Sequence, residues 1–252
     1  MSEEIQTPSE FSKYGIYEIE ETLSLSFPDT EIKFEKISSK VFSYYRLNSE
    51  GKSDEKIIPL KSEILKIEVS PIRPLNHPAR RTSHMFLEFD KDVFLPENSA
   101  ATVFVRCPIE IGLFIIHDGH KDSLDWFTCD PLNSRFGLYG SPDTGILCKY
   151  SVTPIVGSHN DSVPFYNGVM KVTVKNELTG GHSLGKVVFP ITDNAIYYDG
   201  DQAIFDGLTA VLKKRGRSDI IDINEEKIET SWSQSPTWEA TTAKTQMEMG
   251  LD

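Results

Sequence analysis

The sequence lacks several features that mark particular classes of protein. Its 252 residues contain 3 cysteines, none of them in a C-x-x-C pair, and an odd number is poor material for a disulfide framework. No apolar run approaches the roughly 20 residues that a membrane-spanning helix requires. The acidic start of the chain also lacks the charged-then-apolar plan of a signal peptide. We therefore expect a cytoplasmic protein that does not insert directly into a membrane.

Positive charge is scarce as well. The chain has 26 lysines and arginines against 38 acidic residues, a formal net charge of −12, which disfavours nonspecific binding of nucleic acid or anionic lipid. The basic run 213–217 and the pair Arg80-Arg81 have no recognisable nucleic-acid motif around them. Neither a P-loop nor a Rossmann fingerprint occurs. We expect no nucleic-acid partner and no cofactor.

What the sequence does contain is apolar–polar alternation with a period of two, as in residues 65–69, 85–89 and 170–175. This pattern is typical of antiparallel strands with one side on a core and the other in water. Turn residues separate the segments at short intervals, and no strand–helix–strand rhythm appears. The sequence predicts a mainly β protein, an antiparallel β-sandwich or two stacked β subdomains, with little helix.

We expect four regions along the chain. A flexible N-terminus over residues 1–10 precedes an N-terminal β subdomain or sheet layer over 11–60, and the main β domain spans 61–223. Residues 224–252 are polar and acidic, so we expect a disordered tail there. Trp232 and Trp238 lie in this tail. They either dock on a partner, because tryptophan is a favoured interface anchor, or fold back onto their own sheet.

The segment from His117 to Asp122 is a candidate metal site. Two histidines three residues apart, His117 and His120, together with Asp122 could ligate a divalent ion. However, the segment follows an apolar run and contains Asp-Gly, which is typical of a solvated loop tip. A small-ligand or metal-dependent enzyme that uses this loop is the alternative function.

Residues 181–185 match the G-x-S-x-G nucleophile elbow literally. The elbow requires a helix after the serine and a histidine later in the chain. Here residues 186–191 read as a strand, and no histidine follows Ser183. We therefore interpret residues 177–183 as a Gly-rich hairpin connection between strands over 169–176 and 184–191, and we predict no serine hydrolase and no catalytic residue.

Glu110 interrupts the apolar run 109–116, which predicts a central strand covered on both faces. A buried carboxylate is costly unless it is paired, so we expect a cationic partner for it; the candidates are Arg73, Arg106, Arg135 and Lys149. The pair would specify the fold or provide a polar group in a binding cleft. Tyr139, Tyr150 and Tyr198 would line such a cleft or simply pack. Arg73 lies at a bend of the Pro-rich segment 70–78, which we expect to link two sheets.

Several of these segments together resemble a known family. The blocks that carry the resemblance are residues 71–76, 85–89, 108–112, 138–150, 185–189 and 197–199. In order and turn residues they resemble domain of unknown function 432, an uncharacterised archaeal family, over most of residues 60–200. The resemblance implies no activity and no catalytic residue. It implies a membrane-linked partner, a channel of the small-conductance mechanosensitive class.

Taken together, these features favour a non-catalytic cytoplasmic interaction module that docks an unknown protein partner by a strand edge or a surface patch. The expected binding residues are Arg73, Glu110, Tyr139, Lys149, Trp232 and Trp238. Homo-oligomerisation stays open.

Overall fold

The structure, a computed structural model, describes residues 12–77 and 81–239. These residues form 20 strands and one short 3₁₀ turn, Pro131–Asn133, and none of their helices is long and apolar enough to cross a membrane. The strands of the first half are β1 (Gly15–Ile19), β2 (Thr22–Phe27), β3 (Thr30–Ser38), β4 (Val41–Asn48), β5 (Ser53–Pro59), β6 (Leu65–Ile72), β7 (His84–Leu95), β8 (Ala100–Pro108), β9 (Glu110–His117) and β10 (His120–Phe127). Those of the second half are β11 (Arg135–Tyr139), β12 (Ile146–Thr153), β13 (Ile155–Val156), β14 (Asn167–Asn176), β15 (His182–Pro190), β16 (Ile196–Asp199), β17 (Gln202–Phe205), β18 (Gly207–Arg215), β19 (Ser218–Glu226) and β20 (Ser233–Gln234).

The strands build four sheets that pack together around one core. Sheet I has the order β1-β6-β9-β10, sheet II is the meander β2-β3-β4-β5, and sheet III has the order β11-β12-β7-β15. Sheet IV has eight strands, with β13-β8-β14-β17-β16-β20 as its path and β18-β19 attached to β14. Most pairs are antiparallel, whereas β12 runs parallel to β7 and β14 runs parallel to β17 and β18. The predicted mainly β, sandwich-like fold is confirmed.

The alternation in the sequence corresponds in part to the burial of side chains. Leu65, Ile67 and Val69 of β6 are fully buried and Lys66 is exposed. Glu68, expected on the solvent face, is instead buried, where its carboxylate accepts a hydrogen bond from the hydroxyl of Tyr198 and pairs with Lys121. β9 lies between β6 and β10, and its residues 110–114 are all buried. This confirms the prediction of a central strand covered on both faces, because a strand without a solvent face needs no polar alternation.

Sheet II is a separate meander that shares the core of the rest of the protein. Its buried residues Phe34, Phe42 and Tyr44 belong to the same hydrophobic cluster as the strands of the other sheets. Asp125 of β10 fixes its position, because the hydroxyl of Tyr44 and Nε of Arg46 each donate to Asp125 Oδ2 at 2.7 Å. The N-terminal sheet is thus tied to sheet I by a buried, charge-assisted contact.

The interpretation of residues 177–183 as a hairpin connection is wrong. β14 pairs with β8, β17 and β18, whereas β15 pairs with β7, so the segment crosses from sheet IV to sheet III. Asn176 holds the crossing, because its side-chain amide donates to the carbonyls of Leu95, Pro96 and Gly180. Ser183 lies within strand β15, opposite Phe94, and not on a strand-to-helix turn.

Residues 224–239 of the tail that was predicted to be disordered contain strand residues in the structure. Residues 240–252 lie outside the described residues. β19 continues to Glu226, and Ser233-Gln234 pairs with β16. The backbone hydrogen bonds of these strands and the packing of Trp238 offset the ordering entropy that an isolated polar segment could not recover. The expected N-terminal flexible segment, residues 1–10, also lies outside the described residues.

Candidate functional site

Glu110 is the buried acidic residue around which several elements of the fold meet. It opens β9, and its carboxylate is 2% exposed. The backbone N–H of His77 donates to Oε1 at 2.8 Å, and the side-chain amide of Asn76 donates to Oε2 at 2.8 Å. The backbone N–H of Asn76 lies 3.1 Å from Oε1 and 3.0 Å from Oε2. Among the described residues, the carboxylate is therefore held by Asn76 and His77 of the loop after β6, and no arginine forms an ion pair with it.

Lys149 of β12 is one of the four cations expected to pair with Glu110. Like Glu110 it is buried, with 3% of its surface exposed. Its Nζ donates to the hydroxyl of Ser134 and lies 5.6 Å above the ring of Phe136. Ser134 Oγ in turn donates to the backbone carbonyl of His77 at 2.5 Å. Lys149 therefore reaches the same loop as Glu110 through Ser134, without a direct ion pair to the carboxylate.

The two buried groups carry opposite pKa shifts with the same cause. Burial raises the pKa of Glu110, while the hydrogen bonds from His77 and Asn76 and the charge of Lys149 oppose the rise. Burial lowers the pKa of Lys149, and the charge of Glu110 opposes the fall. Each shift favours the neutral form, as expected for charges removed from water. The two groups form one buried polar centre, which the loop after β6 and strand β12 hold together.

Arg73 lies next to this centre but is directed toward a different element. Its Nε donates to the backbone carbonyl of Asn194 at 2.9 Å, which links the loop after β6 to the segment before β16. The Pro-rich segment lies between β6 of sheet I and β7 of sheet III, as expected for a link between two sheets. Arg73 also borders a cavity of about 30 Å³, which is large enough for a water molecule and for no larger ligand.

Trp238 closes that cavity from the C-terminal side. Its ring packs edge-on against Phe114 of β9, with 5.7 Å between the ring centroids, and the next residue, Glu239, donates its backbone N–H to Ser123 Oγ of β10. Trp232 lies on sheet IV, with its ring centroid 6.5 Å from that of His159. Of the two alternatives for these tryptophans, the structure has the one in which they fold back onto their own sheets.

The candidate metal segment is a two-residue β-hairpin turn. His117 and His120 are directly opposite each other at the ends of β9 and β10, and Asp118 and Gly119 between them have the positive φ angles, 48° and 79°, of a tight hairpin turn. Asp122 accepts a short hydrogen bond from Nε2 of His117. Among residues 12–77 and 81–239, no group of three or more His, Cys, Asp and Glu side chains is arranged to hold a metal ion.

Tyr139 lies at the end of the hairpin formed by β11 and β12, where large apolar side chains are open to solvent. Leu138 is opposite Leu147 and Tyr139 is opposite Ile146. Their exposed fractions are 47%, 40%, 43% and 40% for Leu138, Tyr139, Ile146 and Leu147. We call these four residues the hairpin patch. The predicted binding residues are therefore divided: Glu110, Lys149 and Arg73 surround one buried centre, whereas Tyr139 is on the surface.

The residues that hold Glu110 carry little signal in the sequence. Asn76 is a polar residue between two prolines, and its type alone gives no indication that it contacts a carboxylate. The same is true of Ser134, whose hydroxyl contacts Lys149. His77 contributes a backbone N–H, which any residue except proline carries. The usable signal was the position of Asn76 within the Pro-rich block that the resemblance already included.

These features define an all-β protein in which four sheets surround a common core and a buried polar centre lies where the loop after β6 meets β9 and β12. The chain belongs to the family described as "Protein of unknown function (DUF432)", whose model matches residues 13–250. No curated protein and no solved structure matches the chain.

Proposed function

We propose that this protein is a non-catalytic interaction module that binds another protein at the hairpin patch. The observation that carries the proposal is the presence of four large apolar side chains, each at least 40% exposed, at the end of one β-hairpin, with Leu138 and Leu147 on one face and Tyr139 and Ile146 on the other. Single exposed apolar residues are common on protein surfaces, whereas a cluster of them marks an interaction site. An exposed tyrosine among aliphatic neighbours is a typical anchor of such a surface.

The edge of sheet III supports one kind of occupant, an extended segment of the partner. In the part of the chain that the structure describes, β11 pairs with β12 alone, so the backbone groups along its other side are available to an added strand. The strand β5 at the edge of sheet II carries Asp54, Glu55 and Lys56 and ends in Pro59, features that protect an edge from pairing. β11, with the sequence RFGLY, has no proline and one charge.

Charge complementarity favours a different protein over a second copy. Two copies of a chain with a formal net charge of −12 repel each other on approach. The proposed partner therefore has a neutral or basic segment with apolar residues at alternate positions, which would cover Leu138 and Tyr139 on the two faces of β11. A membrane-linked partner of this chemistry fits the expectation from the family resemblance.

The test is affinity capture with the full chain from an extract that includes detergent-solubilised membranes, quantified by mass spectrometry. The variant is the double substitution Leu138→Ser with Tyr139→Ser, and the control is Phe94→Ser, which removes a side chain that is 66% exposed on β7. We expect a stoichiometric partner with the wild type and the control and its loss with the double variant. Hydrogen exchange of the β11 amides should slow when the purified partner is added.

Three outcomes contradict the proposal. The first is equal capture by all three proteins, which places the contact elsewhere. The second is the absence of any stoichiometric partner. The third is concentration-dependent self-association of the purified chain that the double variant abolishes, since the patch would then bind a second copy.

A further inference from the structure

A polar cleft of about 340 Å³ opens where the chain passes from sheet III to sheet IV. β12 leaves sheet III at Thr153, and after Pro154 the chain enters β13, which pairs with β8. The contact between the two sheets is fixed here, because the backbone N–H of Arg106 donates to Thr153 Oγ1 at 2.9 Å. Junctions between structural layers are frequent positions for ligand sites.

Two arginines line this cleft, Arg106 of β8 and Arg135 of β11. Within the described ranges, neither guanidinium has a carboxylate oxygen within 4.0 Å. The lining also contains one carboxylate, Asp130, but both of its oxygens accept hydrogen bonds from Asn133 Nδ2, at 2.9 and 3.1 Å. Positive charge therefore exceeds negative charge in the lining, although the whole chain is strongly acidic.

Arg106 is oriented before any ligand arrives. Its Nε donates to the backbone carbonyl of Asp161 at 2.9 Å, which fixes the plane of the guanidinium and leaves its two Nη groups as donors. Asn167 is oriented in the same way, because its Oδ1 accepts the backbone N–H of Val163 at 2.9 Å and its Nδ2 keeps two hydrogens to donate. Donors held in place lose less entropy on binding than mobile side chains.

We propose that this cleft binds a small anion through a phosphoryl or carboxylate group. The planar fork of Arg106 would bind two oxygens of the group, Arg135 would contribute the second charge from the rim, and Asn167 would donate an amide hydrogen. The volume fits a ligand of the size of a phosphorylated metabolite or a small polycarboxylate. The site uses donors and charge, and it requires no metal ion and no covalent step.

The test uses the full chain in calorimetric titrations with inorganic phosphate, pyrophosphate and citrate, at constant ionic strength set with chloride. Arg135→Gln is the principal variant, because Arg135 is exposed and its loss leaves the fold intact. Arg106→Gln and Arg106→Lys test the oriented guanidinium. Arg217→Gln is the matched control, since it removes the same charge from the exposed turn between β18 and β19.

We expect saturable binding of at least one of the three anions by the wild type. Arg135→Gln and Arg106→Gln should each weaken it about tenfold or more, because each removes charged hydrogen bonds. Arg106→Lys should weaken it nearly as much, whereas Arg217→Gln should change it less than about twofold. Tighter binding of the phosphates assigns a phosphoryl ligand, and tighter binding of citrate assigns a carboxylate. The proposal is overturned if no anion saturates up to about 10 mM, or if Arg217→Gln weakens binding as much as Arg135→Gln.

Discussion

Replacing Glu110 by glutamine tests the buried polar centre most directly. In the wild type both carboxylate oxygens face N–H donors, His77 N at Oε1 and Asn76 Nδ2 at Oε2, each at 2.8 Å. Below its pKa, neutral Glu110 has one O–H donor and one carbonyl acceptor, much as the glutamine amide has one NH₂ donor and one carbonyl acceptor, so one of these N–H groups faces a donor in both proteins. We therefore expect Glu110→Gln to lower the free energy of unfolding by about 1 kcal/mol or less in mildly acidic buffer.

The pH dependence of this difference follows from the pKa of Glu110. Burial raises it from 4.5 in the unfolded chain to about 7 in the fold, so the folded protein holds a proton that the unfolded chain releases. The stabilisation from that proton is fully present below pH 4.5 and is lost as pH rises through about 7. At 1.36 kcal/mol per pH unit, the loss over this window of about 2.5 pH units is about 3–4 kcal/mol. The variant has no such loss, so its small deficit relative to the wild type should disappear and reverse between about pH 5 and about pH 7.5, where the variant becomes the more stable protein.

Urea unfolding followed by tryptophan fluorescence measures both quantities, since other carboxylates cancel in the difference between the two proteins. Glu177→Gln, at an exposed position, is the control and should differ from the wild type by less than about 0.5 kcal/mol at every pH. A deficit of Glu110→Gln that is constant over the window, or that grows as pH rises, would refute the assignment of a raised pKa to Glu110.

Three further substitutions test the contacts that hold the sheets together, each by urea unfolding. Trp238→Ala removes the ring that covers Phe114 and should cost about 2–3 kcal/mol, with faster hydrogen exchange in β9 and β10; unchanged exchange would contradict this packing. Asp125→Ala leaves the buried hydroxyl of Tyr44 and the guanidinium of Arg46 without their acceptor and should lower the free energy of unfolding by about 3 kcal/mol. Tyr44→Phe removes only the hydroxyl and should cost about 1 kcal/mol. Equal costs for the two variants would contradict a role for the ion pair. Asn176→Ala leaves three carbonyls without their donor and should cost about 2–3 kcal/mol, and a cost below about 0.5 kcal/mol would mean that other contacts hold the crossing.

The positions of strands were predictable from the sequence, whereas their pairing was not. Alternation along 85–89 depends on which side of a strand faces the core, which is a local property. The parallel pairing of β12 with β7, by contrast, joins residues such as Lys149 and Met85 that lie 64 positions apart by their numbers. No residue type encodes such a partner. The turn residues 177–183 predicted a hairpin, which was wrong because β14 and β15 belong to different sheets. A tight turn determines the direction of the chain but does not determine which sheet the next strand joins.

The candidate site shows the same limit in chemical terms. The burial of Glu110 was predictable because a carboxylate within an apolar run cannot reach water. Its partners were expected to be cations, but two of the donors are backbone N–H groups of Asn76 and His77, which have no signature in a sequence. The prediction for the tail used its average composition, and that average conceals the contacts of individual large side chains such as Trp238 with Phe114.

The two proposed binding surfaces share the hairpin of β11 and β12, and strand geometry makes them separable. Successive residues of a strand point to opposite faces, so Arg135 and Tyr139 are on one face of β11 and Leu138 is on the other. Leu138 is also opposite Leu147 at the hairpin end, whereas Arg135 is opposite Tyr150 at its base. The single substitution Leu138→Ser therefore changes the hairpin patch without altering the face that carries Arg135, whereas the Tyr139→Ser half of the double variant alters that face. Arg135→Gln removes the cleft charge and leaves the patch residues in place. Because of this, loss of partner capture with intact anion binding, or the opposite result, assigns each activity to its own surface.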